Sequence, residues 1–112
     1  MSNVQTVNTN SFPQEVLGSA VPVMVDFYAD WCGPCKQMSP VVDQIARSHD
    51  GSLKVLKLDT DESPEIANRY QIMSIPTIII FKSGEAVAKH VGYMDEKRMS
   101  DFVKPHLDKK SS

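Results

Sequence analysis

The sequence predicts an α/β fold: a mixed sheet of about five strands, parallel in its N-terminal part and ending in an antiparallel hairpin, flanked by about four helices. Three features lead there. Two apolar runs rich in β-branched and aromatic residues, Val21 to Ala29 and Leu53 to Leu58, are separated by one long helical stripe, the pattern of a buried parallel pair joined by a right-handed crossover. Two later runs, Thr77 to Phe81 and Ala86 to Val91, are separated only by Lys82-Ser83-Gly84-Glu85 and read as a hairpin. Helix-start signals fall before, between and after these runs.

Taken in order, Val4 to Val7 reads as a short edge strand. Ser11-Phe12-Pro13-Gln14 fits a capping box, with a serine oxygen to accept an orphan N–H, a glutamine three residues on, and a proline tolerated in the first turn. A short helix follows and stops near Gly18. After the strand at Val21 to Ala29 the chain turns at Asp30 to Pro34 and enters the long helix. Cys35, Met38, Val42, Ile45 and His49 recur at intervals of three and four, so they form one helical stripe. Gly51 suits a C-terminal cap. Pro40 lies inside and removes one helical hydrogen bond, which predicts a kink. Leu53 to Leu58 is the next strand, and Ser63-Pro64-Glu65 opens a short helix to about Tyr70. The last helix begins at an Asp95 N-cap, with Met94 and Met99 placed as a hydrophobic staple. Met99, Phe102, Val103 and Leu107 form its buried stripe.

At 112 residues the chain is one domain in size and can bury roughly two-thirds of the surface its unfolded form exposes. Residues 1–107 are expected to form that domain and 108–112 a loose tail. Hydrophobic residues at 41% and charged residues at 23% are globular values and argue against disorder, collagen and coiled coil. The longest near-continuous apolar stretch, Ile75 to Phe81, is far short of the roughly 18 residues a membrane span needs. Twelve basic and 14 acidic residues leave a formal charge of −2, with no basic block to attract nucleic acid. Met1 to Pro13 lacks the basic and apolar regions of a secretory signal, so a cytoplasmic protein is expected.

The two cysteines stand three apart, in Cys32-Gly33-Pro34-Cys35, between a buried strand and a helix. Residues so spaced on a first helical turn have Cβ atoms roughly 5–6 Å apart, close enough for a disulfide with modest adjustment. The ring such a bond closes is tiny and restrains the unfolded chain little, so a reversible redox pair suits the spacing better than a structural staple. Cys32 sits at the helix N-terminus, where orphan N–H groups and the dipole favour an anion. Cys35 begins the buried stripe. An exposed, easily ionised Cys32 is therefore expected to attack, and a shielded Cys35 to resolve. Gly33 keeps side-chain bulk away from the attacked disulfide, and Pro34 has no N–H to lose in a first turn. The competing readings are inert thiols or half a zinc site. The remaining zinc ligands would have to be His49, His90 and His106, whose separations fit no zinc pattern, so no metal is expected.

Asp26-Phe27-Tyr28-Ala29-Asp30-Trp31-Cys32-Gly33-Pro34-Cys35-Lys36, with Ile75-Pro76-Thr77 about 40 residues on, closely resembles the thioredoxin family, in which this motif is redox-active. The likeness runs from about Val4 to Leu107 in element order and implies a thioredoxin-like fold. It also implies a thiol–disulfide oxidoreductase that reduces disulfides in other proteins, is recycled by a thioredoxin reductase, and needs no bound cofactor. A monomer is expected. Disulfide isomerases share the fold but usually carry His where Pro34 stands, so the motif leans towards a reductant. An isomerase or oxidant, or an interaction module that uses the groove without turnover, are the alternatives.

The resemblance assigns further residues. The family's buried acid corresponds to Asp26, which is odd on its own terms as a carboxylate among Met24, Val25, Phe27 and Tyr28. Burial should raise its pKa. In the family such an acid, with a lysine matching Lys57, exchanges a proton with the resolving thiol. The plain alternatives are that Asp26 caps a turn at a strand end and that Lys57 reaches out to water. The family also places a cis proline against the cysteines, so Ile75-Pro76 is expected to be cis although few X–Pro bonds are. The backbone of Ile75 would then pair with an extended substrate. Trp31, Gly33, Pro34, Ile75, Pro76 and Gly92 would form the docking surface, unless Trp31 is a partly buried core residue. Two residues depart from the family pattern. Tyr28 stands where tryptophan is frequent, and Tyr93 follows Gly92 where a small residue is common.

Overall fold

The computed structural model describes residues 4–107. The expected tail at 108–112 and the first three residues lie outside that range. Five strands, β1 (Gln5–Val7), β2 (Val23–Tyr28), β3 (Lys54–Asp59), β4 (Thr77–Lys82) and β5 (Glu85–Val91), form one sheet in the order β1-β3-β2-β4-β5. β3 runs parallel to both β1 and β2, whereas β4 is antiparallel to β2 and β5. The helices are α1 (Gly33–Ser48), α2 (Pro64–Arg69) and α3 (Glu96–Val103), preceded by a π-helical turn at Pro13–Leu17 and followed by a 3₁₀ turn at Lys104–His106. The mixed α/β fold expected from the sequence is the one observed.

Alternation along the buried strands sends side chains to two cores, as period-2 geometry requires. Val23, Val25, Phe27, Ile79 and Phe81 face Phe12, Val16 and Ile66 on one side. Met24, Val55, Ile78 and Ile80 face Met38, Val42 and Ile45 of α1 and Met99 and Val103 of α3 on the other. Each such aliphatic side chain contributes roughly 1.5–3 kcal/mol on full burial. The helical stripe of α1 is thus what holds the first turn of that helix against the sheet. Asp26 and Lys57 share the α1 side, because they lie two residues from Met24 and Val55 on their strands.

Local signals held in most places and failed in some. Asp95 caps α3, its Oδ1 accepting from Arg98 N–H at 2.9 Å, and Met94 and Met99 are both buried beside it. Ser11 does not cap the first helical turn. Asn8 Oδ1 accepts from the N–H groups of Asn10 and Ser11, and the Ser11 hydroxyl turns back to the N–H of Asn8 at 3.0 Å. This local Asx arrangement outcompetes the cap, and the turn starts after Phe12 without a side-chain partner. The hairpin loop is shorter than expected. Lys82 and Glu85 are already paired, and only Ser83 and Gly84 turn, with φ of 53° and 82°, the two left-handed residues of a type I′ connection. Helix α1 continues unbroken through Pro40 and closes at His49, with Gly51 at φ 89° two residues later.

Candidate active site

The sheet register brings four distant segments to one end of the molecule. Phe27, near the end of β2, lies opposite Thr77 at the start of β4, and Thr77 lies opposite Val91 at the end of β5. Tyr28 lies opposite Asp59, the last residue of β3. The Cys32–Cys35 turn, Ile75-Pro76, Gly92 and the loop at Thr60-Asp61 are therefore neighbours, although up to 60 residues separate them in sequence.

Cys32 and Cys35 form a disulfide, with their Cα atoms 5.2 Å apart. Cys32 is the N-cap of α1, and its Sγ accepts from the backbone N–H of Cys35 at 3.2 Å. One expectation is overturned. Cys32 is not the exposed partner, since the two residues are 3% and 5% exposed. In the disulfide both pack against Ala29, with Tyr28 and Ile75 alongside. Accessibility does not separate the sulfurs in this state; the helix terminus does, because an N–H of the first turn is aimed at Cys32. A Cβ built on Gly33 meets nothing within 4 Å, so the space beside Gly33 is open, and Pro34 is exposed.

The residues expected to dock a partner lie in the segments around the cysteine turn. Trp31 is 71% exposed, which removes the core reading, and its indole Nε1–H donates to Asp61 Oδ2 at 2.9 Å. Sequence reasoning missed Asp61; nothing in a loop aspartate 30 residues away signals such a contact. The Ile75-Pro76 peptide is cis. Pro76 is buried, and its carbonyl accepts from Gly92 N–H at 2.8 Å. Gly92 has φ 103°, a conformation that favours glycine. Among the described residues the backbone of Ile75 makes no hydrogen bond. Trp31 and Ile75 border a hollow shared with Thr60, Ile72, Met73 and Ser74. Met73, 91% exposed, was the other residue missed. Tyr93, next to Gly92, is half exposed.

Beneath the disulfide, Asp26 is 1% exposed, and its Oδ1 has no hydrogen-bond partner. Burial pushes its pKa from 3.8 up to about 7, against the opposing pull of the Lys57 charge. The turn-capping alternative fails, because no N–H reaches that oxygen. Asp26 and Cys35 line one cavity of about 120 Å³ with Tyr28, Ala29, Asp30, Lys36, Ser39 and Lys57, large enough for water. Lys57 departs from the expected pairing. It stands opposite Asp26 in the sheet, but its ammonium lies over the Tyr28 ring, 4.6 Å from the centroid, and acts on Asp26 only through space.

The family model for thioredoxin matches residues 3–105, a span that holds the Cys32–Cys35 disulfide, the cis Ile75-Pro76 peptide and the buried Asp26. The chain belongs to the thioredoxin family. Thioredoxin 1 of a Nostoc species is 49% identical over 107 residues, which cover 96% of this chain and all of that protein. The chloroplastic M-type thioredoxin of Spinacia oleracea is 46% identical over 107 residues, where the chain spans 59% of the relative's length. The thioredoxin of Rickettsia felis is 45% identical over 97 residues, 87% of this chain and 92% of that protein. This thioredoxin-family protein is a thiol–disulfide oxidoreductase that reduces disulfide bonds in proteins. Among the described residues no three His, Cys, Asp or Glu side chains gather as metal ligands, and no helix is long and apolar enough to cross a membrane.

Proposed function

We propose that the two sulfurs divide the reduction between them, with Cys32 as nucleophile and Cys35 as resolving thiol. In the reduced protein the Cys32 thiolate attacks one sulfur of a partner's disulfide. A mixed disulfide forms, and the partner's other sulfur leaves as a thiolate that takes up a proton. Cys35 gives its proton to Asp26 and attacks Cys32 Sγ; the bond to the partner breaks, and the partner sulfur that Cys32 had held departs as a thiolate and takes up a proton. Two electrons have passed to the partner, and the Cys32–Cys35 disulfide is left. The observation that carries this order is the Cys35 N–H aimed at Cys32 Sγ from the first turn of α1, a hydrogen bond that strengthens when the sulfur is charged. Cys35 instead shares a cavity with a carboxyl poised near neutrality, as a general base should be.

Around the sulfurs, Trp31, Gly33, Pro34, Ile75, Pro76 and Gly92 receive an extended segment of the partner, which pairs with the free backbone of Ile75. Electrons reside on the two sulfurs, so the reaction draws on no bound cofactor. A thioredoxin reductase restores the dithiol in a reducing compartment, the cytoplasm being the simplest, and the protein works as a monomer. Cys35→Ser provides the test. The variant should lose turnover in an insulin-reduction assay and accumulate a mixed disulfide through Cys32. Full turnover by Cys35→Ser, or trapping by Cys32→Ser instead, would reverse the assignment.

A further inference from the structure

Tyr28 and Asp26 are two residues apart on β2 and point to the same side of the sheet. The ring of Tyr28 carries the Lys57 ammonium at 4.6 Å from its centroid, within the range of an attractive cation–π contact. Directly across the strand pair, Asp26 Oδ1 is left without a hydrogen-bond partner. A lysine facing a buried carboxylate would ordinarily pair with it, and a contact ion pair would hold the acid ionised. Here the ring takes the cation instead.

We propose that Tyr28 is a positioning residue whose ring holds the Lys57 ammonium off the Asp26 carboxyl, leaving an unpaired carboxyl oxygen in the region shared with Cys35. The role matters because an acid locked in an ion pair is a poor proton acceptor near neutral pH. Tyr28 therefore helps set the pH range in which Cys35 can be deprotonated. The proposal rests on the reading of Asp26 as the proton carrier for Cys35. Other charges surround the group. Asp30, from the β2–α1 turn, and Lys36, from α1, line the same cavity. Burial, Asp59, Asp30 and Glu62 together raise the Tyr28 hydroxyl above its ordinary value, so the ring stays neutral while Asp26 titrates.

Tyr28 is only partly buried, so its truncation removes no core side chain. The test follows the Asp26 carboxyl carbon by NMR across pH in the oxidised protein. Tyr28→Leu should lower the Asp26 midpoint by about half a pH unit as Lys57 closes on it. Tyr28→Phe and Tyr28→Trp keep an aromatic face and should leave the midpoint near that of the parent. In a Lys57→Met background, Tyr28→Leu should shift nothing. An unchanged or raised midpoint in Tyr28→Leu overturns the proposal. So does an equal shift without Lys57, which would mean that the ring acts by excluding water. The rate at which Cys35 resolves a mixed disulfide is followed in parallel. If the NMR midpoint moves and the kinetic pH profile does not, Asp26 is not the proton carrier, while the positioning role of Tyr28 stands.

Discussion

Replacing Asp26 by asparagine removes a charge that the fold must otherwise bury. The unfolded chain ionises Asp26 at about 3.8 and the folded chain at about 7. A folded pKa raised above the unfolded one means that the unfolded state releases its proton first, so native stability falls as pH climbs between those values. Below about 3.8 the penalty is absent, and above about 7 it is complete. Three pH units at about 1.4 kcal/mol each make it about 4 kcal/mol. Asparagine carries no such penalty; its cost as a buried amide is constant with pH. In urea melts of the two oxidised proteins, Asp26→Asn should therefore gain on the parent by about 3 kcal/mol between pH 4.5 and 7.5, ending as the more stable at neutral pH while resolving mixed disulfides more slowly. Stability curves that run parallel across that range, or an asparagine variant less stable than the parent at pH 7, would refute the buried-acid account.

Three further outcomes follow from geometry at the same end of the sheet. Asp95→Ala loses the acceptor for Arg98 N–H and should cost about 1 kcal/mol in denaturant melts. Gly92→Ala meets no atom within 4 Å but must hold φ 103°, so roughly 1–2 kcal/mol of destabilisation is expected from backbone strain alone. Trp31→Ala should raise KM for a protein disulfide roughly tenfold at similar kcat, because an exposed aromatic anchor beside the pair is lost; an unchanged KM in steady-state assays would remove Trp31 from the docking surface.

How far these features could be read in advance depended on whether the cause was local. The two cysteines, the Asp95 cap, the methionine staple and the α1 stripe from Cys35 to Ile45 are set by neighbours within a turn or two, and they stand where the sequence placed them; His49, the last residue expected on the stripe, falls at the half-buried C-cap instead. Asp26 was legible because a carboxylate inside an apolar strand run is anomalous by itself. The cis form of Ile75-Pro76 came from family resemblance alone, since base rates favour trans. What escaped was set by tertiary contact. The hydroxyl of Ser11 had two local uses, and Asn8 decided between them. Lys57 was expected beside Asp26 from family resemblance; pattern reveals which face a residue takes but not which neighbour on that face wins it. The coverage of Cys32 comes from Tyr28, Ala29 and Ile75, the last more than 40 residues away. Asp61 and Met73 joined the groove through the register of β3 and β4, which no local signal encodes.

The claim on which the rest depends is that the end of α1 makes the two sulfurs chemically unequal once the disulfide is reduced. Iodoacetamide alkylation of the reduced protein across pH, read peptide by peptide, tests it most directly. Cys32 should react with a midpoint below the ordinary thiol value of about 8.5, and Cys35 far more slowly at neutral pH. Equal, slow alkylation of both cysteines with midpoints at the ordinary value would contradict the account.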